Sequence, residues 1–217
     1  MVTRRSIRPS FNSYRASMLA MIAYKLVRMG RDGQLYPLYV NSTQPFVIGE
    51  WMYAEPGPMT ENGKVKSKLG QLAYRPGFHC SDIPYATHIG KKGADGKIAF
   101  MNADHVWVEV EIDDTIDYQE EANRNGINPR TGRLNPRDAD LDHVPVNGYY
   151  RYKTNPNMTG EWIIAGSMRI NRVLDDEEVR AICARHGYVP LPRATARSKS
   201  VKMRRPLFNL RRLFRRR

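Results

Sequence analysis

Hydrophobic and polar residues alternate over His105–Ile112, HVWVEVEI, with Val106, Val108, Val110 and Ile112 on one side and Trp107, Glu109 and Glu111 on the other. A period of two held for eight residues predicts a half-buried β-strand. Ile22–Met29 (IAYKLVRM) alternates in part, and Leu35–Val40 (LYPLYV) is rich in strand formers. The turn signal Arg31-Asp32-Gly33-Gln34 between them predicts a hairpin, with an edge or bulged second strand because Pro37 lacks an N–H. Phe46–Tyr53 reads as a third extended segment and Phe78–Cys80 as a short strand. Gly160–Leu174 reads as strand, glycine turn, strand. The pattern then changes to helical spacing: Asp175 caps a helix over Asp175–His186, Asp176, Glu177 and Glu178 suit its positive end, Val179, Ile182 and Cys183 form its inner face, and Gly187 ends it. A shorter helix is expected through Tyr85–His88, with Ser81 or Asp82 as N-cap, Pro84 in the first turn and Gly90 as the stop.

Between these segments the pattern fails. Residues 54–70 are rich in Pro, Gly and Lys and read as an exposed loop, and Lys91–Lys97 reads as a mobile turn. Residues 113–152 are polar and rich in Asn, Asp, Pro and Arg; a loop of that length is usually functional or disordered. Its two Asn-Pro-Arg triplets, at 128–130 and 135–137, are too short to make a repeat. The expected fold is a single α+β domain over 22–192, with a mostly antiparallel or mixed sheet and few short helices.

Charge adds basic arms to this domain. The net charge is +13 over 217 residues, but it is unevenly placed. Residues 1–28 hold six of the 35 Lys and Arg, residues 193–217 hold eleven, and neither stretch holds an acid. The remaining 18 face all 22 Asp and Glu, so the body is mildly acidic. A basic arm over 1–21 and a basic tail over 193–217 are therefore expected to meet an anionic partner, nucleic acid first, a membrane surface or an acidic protein otherwise. In the tail, Met203, Leu207, Leu210 and Phe214 recur at helical spacing among arginines, a basic amphipathic pattern. No apolar run is long enough to span a bilayer, and Met18–Ala23 is too short for the core of a signal peptide. Two cysteines, Cys80 and Cys183, make no disulfide framework and suit a reducing compartment, so a cytoplasmic rather than secreted protein is expected.

Candidate chemistry gathers in Leu72–Gly90, LAYRPGFHCSDIPYATHIG, which holds Arg75, His79, Cys80, Ser81, Asp82, Tyr85 and His88 between turn-forming residues. The spacing matches no zinc pattern, and neighbours on a strand such as His79 and Cys80 point to opposite faces, so no metal site is expected. Cys80 or Ser81 as nucleophile, with a histidine as base and Asp82 as orienter, competes with a small buried residue and a helix cap. The segments GKKGADGK and GRDGQ match neither a P-loop nor a dinucleotide fingerprint and read as turns.

Two resemblances extend this reading. Arg28 on an early strand, Phe78–Ala86 as a Gly-Phe-x-x-Ser-type turn before a helix, and Glu161 ahead of an apolar pair, a glycine turn and a second strand together resemble the ADP-ribosyltransferases, whose sheet is split and mixed. That resemblance implies NAD as cofactor and transfer of ADP-ribose to a host or phage macromolecule. It implies that Arg28 or Tyr24, with Tyr85, contacts the cofactor, that His79 or Ser81 positions the nicotinamide ribose, and that Glu161 stabilises the positive charge developed as the nicotinamide–ribose bond breaks. Thr159 stands where the arginine-modifying members of the family carry a second acid. Over a longer stretch, Tyr24–Leu174, the ordered motifs YKLVR, LYPLYV, GEWMYAE, YRPGFHC and VWVEVEI resemble small uncharacterised proteins of bacteriophages. This implies a place in the host cytoplasm or the virion. It leaves open a non-enzymatic structural or accessory protein whose basic ends bind nucleic acid or virion components.

Overall fold

The computed structural model describes residues 20–153 and 160–195. The basic arm and the amphipathic tail lie outside these residues, except for 20–21 and 193–195. The described residues form thirteen strands and two helices: β1 (Met21–Met29), β2 (Leu35–Tyr36), β3 (Trp51–Tyr53), β4 (Val65–Ser67), β5 (Gly70–Leu72), β6 (Phe78–Ser81), β7 (Lys91–Lys92), β8 (Ile98–Phe100), β9 (His105–Ile112), β10 (Ile116–Asp117), α1 (Gln119–Asn125), β11 (Gly148–Tyr152), β12 (Trp162–Ala165), β13 (Ser167–Val173) and α2 (Asp176–Arg185). This is an α+β domain on a mixed sheet. Nine strands form that sheet, in the order β10-β11-β12-β6-β1-β9-β13-β3, with β2 beside the end of β1. Every pair is antiparallel except β10 with β11.

The topology forces the sheet to fold over on itself. β12 runs into β13 through Gly166 alone, yet the two strands are four steps apart in the sheet order. Four steps on a flat sheet are about 19 Å, whereas two peptide units reach only about 7 Å. The half made of β1, β9 and β13 therefore turns back to face the half made of β11, β12 and β6. Gly166 sits at the corner, where a Cβ would lie 1.9 Å from the Pro145 carbonyl oxygen. At the other junction β1 and β6 share one register pair, Tyr24 with Ser81.

The alternation along each strand now has a physical meaning. Ala23, Val27, Val106, Val108, Val110 and Ile112 from one half meet Cys80, Ile163 and Ala165 from the other in an inner core. The outer surface carries two further clusters. Leu26 and Trp107 pack under α2 against Val179, Ile182 and Cys183. Tyr150, Trp162 and Ile164 pack under α1 and the 139–144 segment. So β9 is buried on both sides rather than one: Trp107 is as covered as Val106. Its two outer carboxylates are neutralised in place, Glu109 by Arg172 at 3.0 Å and Glu111 by Arg169.

α2 begins as its composition dictates. The Asp175 side chain accepts from the Glu177 and Glu178 amides while the Glu178 side chain reaches back to the Asp175 amide, a complete capping box. Elsewhere the expected elements differ. Only Leu35–Tyr36 and Trp51–Tyr53 of the second and third extended segments become strand. The 54–70 loop contains β4 and the start of β5, and the 91–97 turn opens the β7–β8 hairpin. The long polar stretch is ordered: it carries β10, α1 and β11, and Asn125 Nδ2 ties it to the Asp140 carbonyl at 2.8 Å. No helix forms over Tyr85–His88. Ile83 and Pro84 are buried, which lays this segment flat between α2 and the sheet. Among the described residues no helix is long and apolar enough to cross a membrane.

Candidate functional site

The window Leu72–Gly90 crosses the outer surface between the two outer clusters. Gly77 starts it with φ +115°, where a Cβ would meet Ile164 at 2.4 Å, so β6 can lie tight on β12 only from a glycine. β6 then sends its side chains to alternate sides. Cys80 enters the inner core and is fully buried. His79 goes outward, with its ring edge-on to Trp162 at 6.4 Å; His88 meets the same indole at 5.7 Å. His79 Nδ1 lies 3.3 Å from the Gly77 carbonyl. Burial, and then the nearby Lys25 ammonium, push its pKa down to about 3, so the ring is neutral. Ser81 is the last residue of β6, not a helix cap. Its buried hydroxyl faces two carbonyls, Ile83 at 2.7 Å and Tyr24 at 3.3 Å, and no base.

The other residues of the transferase resemblance lie apart. Glu161 directly precedes Trp162, which is paired with Ser81, while His79 is paired with Ile164. Glu161 stands one residue before β12, outside the ladder that pairs His79 with Ile164. Its charge falls on Arg151, which also holds Asp82 at 2.6 Å. Arg28 stands four residues along β1 from Tyr24, the contact point of β6, roughly 13 Å away along the strand. Tyr24 packs in the cluster beneath α2, and burial, with Glu109 next, raises its pKa. Tyr85 stacks on Tyr188 with ring centres 4.9 Å apart. The structure thus brings His79, Ser81 and Tyr24 to one strand junction and leaves Glu161 and Arg28 outside it.

Two features of this region escaped the sequence reading. Lys25 lies on the inner side of β1, between Ala23 and Val27. Its Nζ donates to the His79 carbonyl at 2.9 Å across the single-pair junction and lies 5.7 Å from the Phe78 ring. Burial lowers its pKa. The alternation Met21, Ala23, Lys25, Val27, Met29 was the signal: one lysine in an apolar row. Arg75 is the second. Its guanidinium lies 3.5 Å from the centre of the Tyr152 ring and donates to the Ala139 and Arg137 carbonyls, clamping the long segment onto the sheet.

A basic cavity lies elsewhere, where β1 ends. An open cavity of about 400 Å³ is lined by Arg28, Arg31, Lys68, Tyr36, Ser42, Thr43 and the single acid Asp32. Arg28 is held in place by its stack over Tyr36, 4.6 Å from the ring centre, and by donation from Nη2 to the Ser42 carbonyl at 3.1 Å. Its Nε is buried and has no partner. Asp32 is already engaged: it accepts from the Tyr36 hydroxyl at 2.6 Å and the Gln34 amide at 3.1 Å, and these bonds hold its carboxyl below the usual range. Arg31 and Lys68 are exposed. Three cations against the one carboxylate of Asp32 leave the cavity with an excess of positive charge, which suits an anion.

Among the described residues no cluster of His, Cys, Asp or Glu is arranged to hold a metal ion. No family model matches this sequence, and no curated protein or solved structure is significantly similar to it.

Proposed function

We propose that the protein is a non-enzymatic accessory protein that grips nucleic acid by its phosphates. The observation that carries this reading is the cavity at the end of β1, where Arg28, Arg31 and Lys68 converge with a single acid, Asp32, among them. A phosphate oxygen accepts from guanidinium and ammonium donors without reference to base sequence. Further exposed lysines stand on the two small hairpins. Lys64 and Lys66 continue from Lys68 along the β4–β5 hairpin, and Lys91, Lys92 and Lys97 lie on the β7–β8 hairpin. Residues 1–100 contain 14 Lys and Arg against six acids, whereas residues 101–192 contain ten against 16, so the chain is electrically polarised. Residues 193–217 add eleven Lys and Arg and no acid. If the expected phage kinship holds, the ligand is phage or host nucleic acid, in the host cytoplasm or the virion.

The transferase reading needs Glu161 beside His79, whereas the charge of Glu161 acts on Arg151. No transfer step is assigned to these residues.

Binding of a fluorescent oligonucleotide, followed by anisotropy from 50 to 300 mM salt, tests the proposal. The logarithm of the affinity should fall linearly with the logarithm of salt concentration. Arg31→Gln and Lys68→Gln should each weaken binding to unrelated sequences alike and reduce the slope by about one. Incubation with labelled NAD and host lysate should leave no labelled acceptor. Affinity indifferent to salt, or to both substitutions, would overturn the reading.

A further inference from the structure

A second cavity, of about 550 Å³, lies between α2 and the outer side of β1 and β9. Leu26 and Trp107 from the strands, Val179 from α2, and Met101 line it, with Val189 and Leu191 from the segment after α2. Val189 is 84% exposed although it borders this space. The apolar lining therefore continues onto open surface, and contiguous apolar surface marks an interaction site.

The chain passes out of the described residues at this cavity. The Met101 amide donates to the Pro192 carbonyl at 2.9 Å, and the Ala194 amide donates to the Met101 carbonyl at 2.8 Å. Residues 192–194 are thus fixed to the cavity wall, and Arg193 pairs with Asp176 at 2.7 Å. Twenty-two residues follow Thr195. Among them, Pro206 suits the first position of a helix. At about 100° per residue, Leu207, Leu210, Leu213 and Phe214 fall on one side, and Arg211, Arg212, Arg215 and Arg216 on the other. The apolar side of such a pattern needs a surface to cover it. Leu207 stands twelve residues beyond Thr195. A tether of that length spans at most about 40 Å and holds what it carries at a roughly millimolar local concentration.

We propose that the apolar side of residues 207–214 docks in this cavity of the same chain. Leu207, Leu210 and Phe214 lie against Trp107, Val179 and Val189. The arginines turn away from the apolar wall, toward solvent and the first turn of α2, where Asp176 and Glu177 are exposed. Arg193 is already paired, so apolar contact rather than charge drives the docking. This surface is separate from the basic cavity at the end of β1, and the inference does not rest on nucleic-acid binding there.

The test uses the whole chain with ¹³C-methyl methionine and follows the Met101 methyl signal, assigned with Met101→Leu. A nitroxide is placed in the tail through Asn209→Cys, on the side away from Leu207 and Leu210; Cys80 and Cys183 are buried and escape labelling. The nitroxide should broaden the Met101 signal. Leu207→Asp with Leu210→Asp keeps the tether, the label and every arginine, and should restore a sharp signal. Equal broadening in that chain would show that the tether alone brings the label near, and would overturn the proposal. Val189→Lys changes an exposed side chain at the cavity and should also sharpen the signal; broadening unaffected by it would place the tail elsewhere. A nitroxide-bearing chain without ¹³C, mixed with a ¹³C chain lacking the nitroxide, should leave Met101 sharp. Broadening in that mixture would seat the tail of a second copy in the cavity and overturn docking within one chain.

Discussion

His79 is held neutral by its surroundings, and this has a consequence for stability. In an unfolded chain its pKa is near 6.5; in the fold it is pushed down to about 3 by burial and by Lys25. Between these values the unfolded chain binds a proton that the folded chain refuses. Stability is therefore whole above pH 6.5 and is lost as pH falls toward 3, with a slope of up to about 1.4 kcal/mol per pH unit for one proton. Burial shifts His88 and His105 the same way, so they add to the slope. His79→Asn should flatten its part of the curve. Urea midpoints measured from pH 5 to 7 for both chains check this, since most carboxylates are still ionised there. Parallel curves would mean that His79 titrates in the fold as it does in water. Lys25 belongs to the same balance. Its donation to the His79 carbonyl satisfies a backbone group at the junction where the ladder between β1 and β6 stops.

Among the elements, α2 depends most visibly on a single side chain. Asp175 accepts from two amides that would otherwise be unsatisfied, and the Glu178 carboxylate completes the box and pairs with Arg172. Asp175→Ala should cost about 1 kcal/mol and lower the thermal midpoint, a change readable by circular dichroism. α2, β1, β9 and the β12–β13 pair were legible in the chain because each carries a clean period or a cap that stands on its own. The β4–β5 and β7–β8 hairpins were not, since Lys and Gly dominate them and short strands at the margin need no apolar row. The expected helix over Tyr85–His88 failed for a tertiary reason. Burying Ile83 and Pro84, with the Cys183 thiol donating to the Pro84 carbonyl at 3.5 Å, holds the backbone flat where a helix would lift it off the core. The candidate site was legible only as residue types. That Trp162 stands against His79 depends on the pairing of β6 with β12. That Lys68 joins Arg28 depends on a hairpin forty residues away. Neither distance is written in local spacing.

At the scale of the whole molecule, the two sheet halves have one core between them. Cys80, Ile163 and Ala165 from one half are covered only by meeting Val106, Val108, Val110 and Ile112 from the other. Neither half has an inner core alone, although β1 and β6 share a single pair. The halves should therefore unfold together, as small domains with one core do. Trp107 on β9 and Trp162 on β12 report on the two halves separately. Chains keeping one of these indoles, with the other two tryptophans changed to Phe, should show coincident denaturant midpoints. Gly166 is the corner through which the halves are joined. Gly166→Ala drives a methyl into the Pro145 carbonyl, and a clash with backbone cannot be relieved by a rotamer change. The cost should be about 1–3 kcal/mol, and it should move the midpoints of both reporters by the same amount. Loss of the Trp162 signal at lower denaturant, with the Trp107 signal unmoved, would show that the halves unfold independently and that the single pair between β1 and β6 is a true boundary.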